Sequence, residues 1–165
     1  MAGRGSFDEF YAGAVGRLVG QLFPVTGDLH EAEEVVQEAF TRAAARWQRL
    51  RHYDLPEAWV RRVAMNLAAD RARNLRRQAR ALRRLQVPPE TLPASVEALA
   101  LAEALRTLPI RQRQALVLHY LVDLQVEEIA RTLGMPEGTV KSLLSRGRRA
   151  LAAKLGETEE VLDPS

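Results

Sequence analysis

Lys141, Ser142, Ser145, Arg146 and Arg149 fall along one side of the segment GTVKSLLSRGRRALAAKLG, residues 138–156. The segment holds five cations, counting Arg148 and Lys154, and no acid. Hydroxyls and guanidinium groups at helical spacing suit the binding of phosphates and base edges rather than bond-making. An arginine can donate two N–H groups to one guanine, the commonest specific contact in the major groove. Arg146 is the candidate for that contact. Arg148 and Arg149 suit the neutralisation of backbone phosphate, which positions a protein on the duplex without reading it.

These side chains need an element that holds them outward. Val140, Leu143 and Leu144 give the same segment a buried side. The preceding residues VEEIARTL, 126–133, place Ile129, Ala130 and Leu133 on one face of another helix. Gly134 follows where a chain leaving a helix needs positive φ. Met135 and Pro136 stop the first helix, and the proline is well placed to open the second. Ala130 is small where the two helices must cross closely. A helical hairpin with a merely solvated basic face would explain the charge alone. Turn, small residue, apolar positions and charge together point to a helix-turn-helix with its recognition helix shaped for the major groove.

Other chemistries find little support. His30, Glu34 and Glu38 are spaced four apart, as metal ligands on one helix can be. His30 falls in a first turn, however, and no second ligand pair occurs elsewhere. His52 and His119 stand alone. There is no cysteine, which excludes disulfides, thiolate metal sites and thiol redox switching. No glycine-rich phosphate loop and no serine-centred elbow occurs. The expectation is a protein that is not an enzyme and holds no cofactor or metal.

The 165 residues are 47% hydrophobic but only 5% aromatic. The apolar supply is mostly Ala, Leu and Val, a mixture that favours helices. Charge is divided along the chain: residues 7–38 carry seven acids against Arg17 alone, and residues 58–84 carry nine arginines against Asp70 alone. An acidic region followed by a basic one suggests a different partner for each. No window approaches the ~20 apolar residues of a membrane span, and the start MAGRGSF has no apolar run. No membrane insertion and a cytoplasmic location are expected.

Ser6 and Glu9 form an S-x-x-E start for a helix whose side is Phe7, Phe10, Tyr11, Val15, Leu18 and Leu22, closed by Pro24 and Gly27. Asp28 and Glu31 start a second, with its apolar face running from Leu29 through Val35, Val36 and Phe40 to Trp47 and Leu50. Residues 51–55 read as a loop. Pro56 opens a third helix, to Arg77 or beyond, with Trp59, Val63, Leu67 and Leu75 as core positions. The stretch VPPETLPAS, 87–95, has three prolines and reads as an extended linker. Four more helices are expected at 96–108, 110–121, 126–133 and 137–155, followed by an acidic tail that frays. The fold class is therefore all-α: two small helical domains, 6–86 and 96–156, joined by a Pro-rich flexible linker at 87–95, with a tail at 157–165.

This arrangement resembles a bacterial RNA polymerase sigma factor of the extracytoplasmic-function type in the sigma-70 family, which keeps only region 2 and region 4. Three stretches, within 7–155, carry the resemblance. The first is DLHEAEEVVQEAFTRAAARW, 28–47. In the family this helix docks on the coiled coil of the polymerase β′ subunit, and Glu33, Glu34, Val36, Gln37, Glu38 and Phe40 match that pattern. An acidic region would steer toward a basic coiled coil while apolar contact supplies affinity.

The second stretch is AWVRRVAMNLAADRARNLRR, 58–77, similar to the helix that opens promoter DNA at the −10 element and holds the non-template strand. By position, Asn66 would border a pocket for an unstacked base, with His52, Tyr53 and Asp54 in the adjoining loop, a short version of the family's most variable part. An amide offers a base edge donor and acceptor together, and Tyr53 offers a stacking surface. Arg61, Arg62, Arg71 and Arg73, with Arg76 and Arg77, would be phosphate partners. The third is the helix-turn-helix, which would read the −35 element through Lys141, Ser142, Ser145, Arg146 and Arg149. The helix before it, 111–121, would meet the flap of the β subunit.

The resemblance implies a transcription initiation factor that binds core RNA polymerase and directs it to promoter DNA. Many members are held inactive by an anti-sigma factor, which makes one a candidate partner. The short tail leaves control to a separate protein or to expression level. The alternative is a free-standing helix-turn-helix regulator binding its operator as a dimer. It gives the acidic helix and the arginine-rich helix no role.

Overall fold

The computed structural model describes the backbone of residues 5–81 and 96–162 and the side chains of residues 5–77 and 100–156. The expected linker at 87–95 lies outside the described residues, as do Arg83 and Arg84 and the side chain of Arg80. The chain divides into two units, Met1–Arg83 and Arg84–Ser165. Among the described residues both are built of helices alone.

In the first unit α1 (Phe7–Thr26) begins at Ser6, whose Oγ accepts the Glu9 N–H at 3.2 Å. Asp8 and Glu9 then sit at the positive end of the helix dipole. Gly27 closes the helix in the left-handed region at φ 76°, its N–H bonded to the Phe23 carbonyl at 2.8 Å. Pro24 does not end the helix as expected but lies inside it. It forfeits one backbone hydrogen bond, and the fully buried Leu22 and Val25 hold the last turn in place.

The second helix, α2 (Leu29–Ala45), starts at Asp28, whose carboxylate accepts the Glu31 N–H at 3.1 Å. It is shorter than the apolar pattern implied. Arg46, at φ −116° and ψ 15°, breaks it, and α3 (Trp47–Leu50) is a separate turn. The break aims Trp47 at α1, where its ring stacks on Phe10 with centroids 5.0 Å apart. Phe7, Phe10, Tyr11, Phe40 and Trp47 form one aromatic cluster. Aromatic contact there replaces one more turn of helix.

The arginine-rich helix is α4 (Pro56–Ala81). Its buried seam is Val60, Ala64, Met65, Ala68 and Ala69, not the expected Trp59, Val63, Leu67 and Leu75. The first three expected positions are half-buried and Leu75 is 51% exposed. The shift by one residue turns the helix by about 100°. Three alanines let α4 lie close to α1 and α2, and close packing outweighs the burial of larger side chains at a wider spacing.

The second unit contains α5 (Val96–Arg106), α6 (Ile110–Tyr120), α7 (Val126–Leu133) and α8 (Glu137–Leu162). Its core gathers Leu105, Leu108, Leu116, Val117 and Leu118 with Ile129, Leu133, Val140 and Leu144. Arg113 ties the turn before α6, donating to the carbonyls of Leu108 at 3.0 Å and Arg106 at 3.3 Å. Gly147 is buried on α8, where a Cβ would stand 3.0 Å from Leu116 Cδ1. A larger residue there would have to displace the Leu116 side chain. α8 is also longer than expected: it continues to Leu162 rather than fraying after Gly156. Ala150 to Leu155 are strong helix formers, and no proline intervenes before Pro164.

Candidate nucleic-acid interface and acidic docking face

The turn between α7 and α8 is built as its residues require. Gly134 adopts φ 67° and ψ 44°, and the Met135 N–H reaches the Ala130 carbonyl at 3.0 Å. The Pro136 carbonyl accepts N–H groups from Thr139 at 3.0 Å and Val140 at 3.2 Å, so the proline caps α8. Ile129, Ala130 and Leu133 are buried against a helix whose Val140 and Leu144 are buried too, while Leu143 is half-buried. With one side fixed, the other is set: Lys141, Ser142, Arg146 and Arg149 are exposed and Ser145 is half-buried. Ser142, Ser145, Arg146 and Arg149 share the outward face, with Lys141 on its flank. Arg148 lies on that same flank and donates to the Tyr120 hydroxyl at 3.2 Å, which sets it apart from Arg149. Among the described residues Lys141, Arg146 and Arg149 make no ion pair.

The cations of α4 have a different setting. Arg62, Arg73, Arg76 and Arg77 are exposed, and Asn66 is half-buried on the same side as Arg62. Arg73 is paired with Asp70, one turn back. Arg71 crosses to α2, where it meets Glu34 at 2.9 Å and Glu38 at 3.4 Å. Arg61 departs furthest from its expected phosphate role. Only 9% exposed, it donates from Nε to Gln21 at 2.9 Å and from a terminal nitrogen to Glu57 at 3.1 Å. It is an internal strut between α4 and α1. The loop at 51–55 exposes His52, Tyr53 and Asp54 and leads into Pro56, so it adjoins the helix that carries Asn66. Trp59, expected in the core, is half-buried with the Arg46 guanidinium 5.7 Å from its ring centre.

On α2 the expected docking residues separate into two groups. Glu33, Glu34 and Gln37 are exposed and Glu38 is half-buried. Val36 and Phe40 are 0% and 2% exposed. Both are core residues here, Phe40 inside the aromatic cluster, because the face that packs on α1 and α4 takes Val35, Val36 and Phe40 and leaves only Leu29, in the first turn, exposed among the large apolar side chains of α2. Gln37 is held by the Tyr11 hydroxyl. That partner was not foreseen, since its spacing of twenty-six residues leaves no local signal. Arg17, Gln21 and Glu57 were also missed. Their only sequence trace is the i, i+4 spacing of Arg17 with Gln21 and of Glu57 with Arg61.

His30 pairs with Glu34 at 3.0 Å. Among the described residues no group of three or more His, Cys, Asp or Glu could hold a metal, and no helix is long and apolar enough to cross a membrane.

A helix-turn-helix with an exposed cationic face, on a chain whose other unit presents both an arginine-rich and an acidic helix, defines a DNA-binding protein that is helical throughout its described elements. The sigma-70 region 2 family matches residues 10–78 and the sigma-70 region 4 family matches residues 98–151. The chain is 30% identical to the RNA polymerase sigma-E factor of Streptomyces coelicolor, over 90% of this chain and 85% of that one. It is 32% identical to the ECF RNA polymerase sigma factor SigW of Bacillus subtilis, over 81% of this chain and 80% of that one. Its fold is that of the sigma factor RpoE in the co-crystal structure with the anti-sigma factor NepR from Bartonella quintana, with a TM-score of 0.75 at 21% identity over 91% of this chain and 96% of that one. The chain belongs to the sigma-70 family, in its extracytoplasmic-function group. It is a transcription initiation factor. The region 2 match leaves the free-standing regulator without support.

Proposed function

We propose that the two units divide the promoter between them, the second reading duplex upstream and the first capturing the opened strand. In this reading 96–156 is the region 4 domain. Its Lys141, Ser142, Ser145, Arg146 and Arg149 lie against the −35 element, with Arg146 as the base reader. The domain at 6–86 is region 2. There Asn66 and the loop residues His52, Tyr53 and Asp54 receive an unstacked −10 base, and Arg62, Arg71 and Arg73 hold the strand. Capture of one base costs a few kcal/mol of stacking, offset by pocket contacts and phosphate pairing. Arg61 leaves the set, because its guanidinium is enclosed.

Glu33, Glu34, Gln37 and Glu38 form the face toward the β′ coiled coil of core polymerase. Val36 and Phe40 support that face from beneath. Exposed Tyr120 and Leu121, at the end of α6, suit docking on the β flap. The protein makes and breaks no bonds itself, works in the cytoplasm, and is open to control by an anti-sigma factor of the kind that holds RpoE in its solved complex. The single observation that carries the reading is the exposed face of α8 over residues 138–156, a cationic stretch without acids on a helix-turn-helix.

The test is transcription in vitro with sigma-free core polymerase, this protein and fragmented genomic DNA, with sequencing of RNA 5′ ends. Protein-dependent starts sharing two spaced upstream motifs are expected. Asn66→Ala should slow open-complex formation with polymerase binding unchanged. Loss of polymerase binding in that variant would sink the assignment of Asn66 to the strand-capturing face.

A further inference from the structure

Four side chains staple α4 to α1. Arg17 and Gln21 lie one turn apart on α1; Glu57 and Arg61 lie one turn apart on α4. Glu57 accepts from Arg17 Nε at 3.1 Å and from Arg61 at 3.1 Å, and Arg61 donates onward to Gln21 at 2.9 Å. The hydrogen bond and charge of Glu57 raise the pKa of Arg17 still further above the ordinary arginine value. Gln21 and Arg61 are each 9% exposed. Burying a guanidinium carries a desolvation cost that an apolar residue of similar volume would avoid, so such a pair is poor evidence of added stability. Directional bonds at two levels of both helices do something an apolar contact does not. They fix how far α4 slides along α1 and how far it rotates.

We propose that Glu57 is a positioning residue for promoter opening, setting α4 so that Asn66 and the 51–55 loop meet the captured base together. The proposal rests on the strand-capture reading above. The loop is anchored at both ends. On its α3 side the His52 N–H bonds to Arg49 and the Tyr53 N–H to Leu50. On its α4 side it runs through Leu55 and Pro56 directly into Glu57. Tyr53 is thereby tied to α3, whereas Asn66 travels with α4. Any slip of α4 changes the spacing between them. Groups that act together on one ligand must be held within about 0.5 Å, and a 1 Å misplacement can cost on the order of 10²-fold in rate.

The experiment uses the full-length protein with core polymerase and a duplex promoter carrying a fluorescent base analogue at the captured non-template position. Glu57→Gln, Arg61→Met and Asn66→Ala are each compared with the parent for thermal melting, core binding and the rate of opening at saturating polymerase. Glu57→Gln should open about tenfold more slowly, with core binding within about twofold. The double variant Glu57→Gln/Asn66→Ala should open no more than about twofold more slowly than Asn66→Ala alone, because one residue acts through the other. A purely structural role would instead slow both backgrounds equally. Arg61→Met fills the strut with an apolar side chain and should remain folded yet open slowly.

Normal opening by Arg61→Met or by Glu57→Gln, or additive effects in the double variant, would overturn the positioning role alone. Normal opening by Asn66→Ala would bring down the strand-capture reading, and the proposal with it.

Discussion

On α8, Lys141, Arg146 and Arg149 stand exposed with no ion pair among the described residues, whereas on α4 Arg61, Arg71 and Arg73 are each held by a carboxylate. Both helices are arginine-rich, and the proposed reading sets both against DNA. They present charge on different terms. The α8 face offers a standing field that can steer duplex DNA before any contact forms. On α4, Arg71 and Arg73 must exchange one partner for another, while Arg62, Arg76 and Arg77 stand exposed. Exposed pairs contribute only about 0–1 kcal/mol each, so Arg71 and Arg73 can be traded cheaply. Arg61, enclosed with Glu57 and Gln21, stays where it is. A helix that acts on duplex benefits from open charge. In the proposed reading α4 acts only after melting, and its engaged arginines stay quiet until the strand appears.

The largest expected effect tests the standing field. In holoenzyme binding to its promoter, Lys141→Ala/Arg146→Ala/Arg149→Ala should lower the slope of log affinity against log salt by about 2.7, near 0.9 for each phosphate left without its cation. Counted from 1 M, that corresponds near 0.1 M salt to a loss of about 500-fold. Filter binding across a salt series measures it. A slope left unchanged would mean that these three residues face something other than DNA, and the contrast with α4 would fail.

How much of this was legible in the chain depended on how local each signal was. The helix-turn-helix could be read in full because Gly134, Pro136, Ala130 and the cations of α8 act within a few residues of one another. The positive φ at Gly134 and the buried Ile129, Leu133 and Val140 follow from those residues alone. The seam of α4 could not be read the same way. Trp59, Val63, Leu67 and Leu75 form an equally regular stripe, and only the closeness that Ala64, Ala68 and Ala69 permit against α1 and α2 selects the other. The burial pattern of α2 was half legible. Glu33 and Glu34 lie at the surface, but Val36 is buried and Phe40 answers to Tyr11, Phe7 and Phe10 from another helix. The pairing of Arg61 with Gln21 spans forty residues and that of Arg71 with Glu34 thirty-seven. A count of arginines shows how many there are, not which of them a fold has already engaged.

An intermediate effect tests the exchange. Glu34→Gln/Glu38→Gln removes both partners of Arg71 and should strengthen binding of the non-template −10 strand by about two- to fivefold, the value of a half-exposed pair. The same change should weaken binding to core polymerase, because the proposed reading places those carboxylates on its docking face. Fluorescence anisotropy with a labelled strand measures the first and competition for labelled core the second. Strand affinity that falls along with polymerase affinity would mean that the acids support α4 rather than restrain Arg71.

The smallest effect concerns Asp70, the lone acid among the arginines of residues 58–84. Its pair with Arg73 lies on one exposed helix face, both side chains about 60% exposed. Asp70→Asn therefore releases a cation that solvent already screens. Strand binding should tighten by no more than about twofold near 0.1 M salt. The salt slope should rise by at most about 0.7, the share of one phosphate on a single strand. The gain should vanish as salt approaches 1 M, where the screening length shrinks to about 3 Å. A loss of tenfold in place of that small gain would carry a different meaning. Removing a repulsive charge cannot weaken a polyanion complex through the field alone, so Asp70 would then act through its pair with Arg73, holding that guanidinium where the strand needs it.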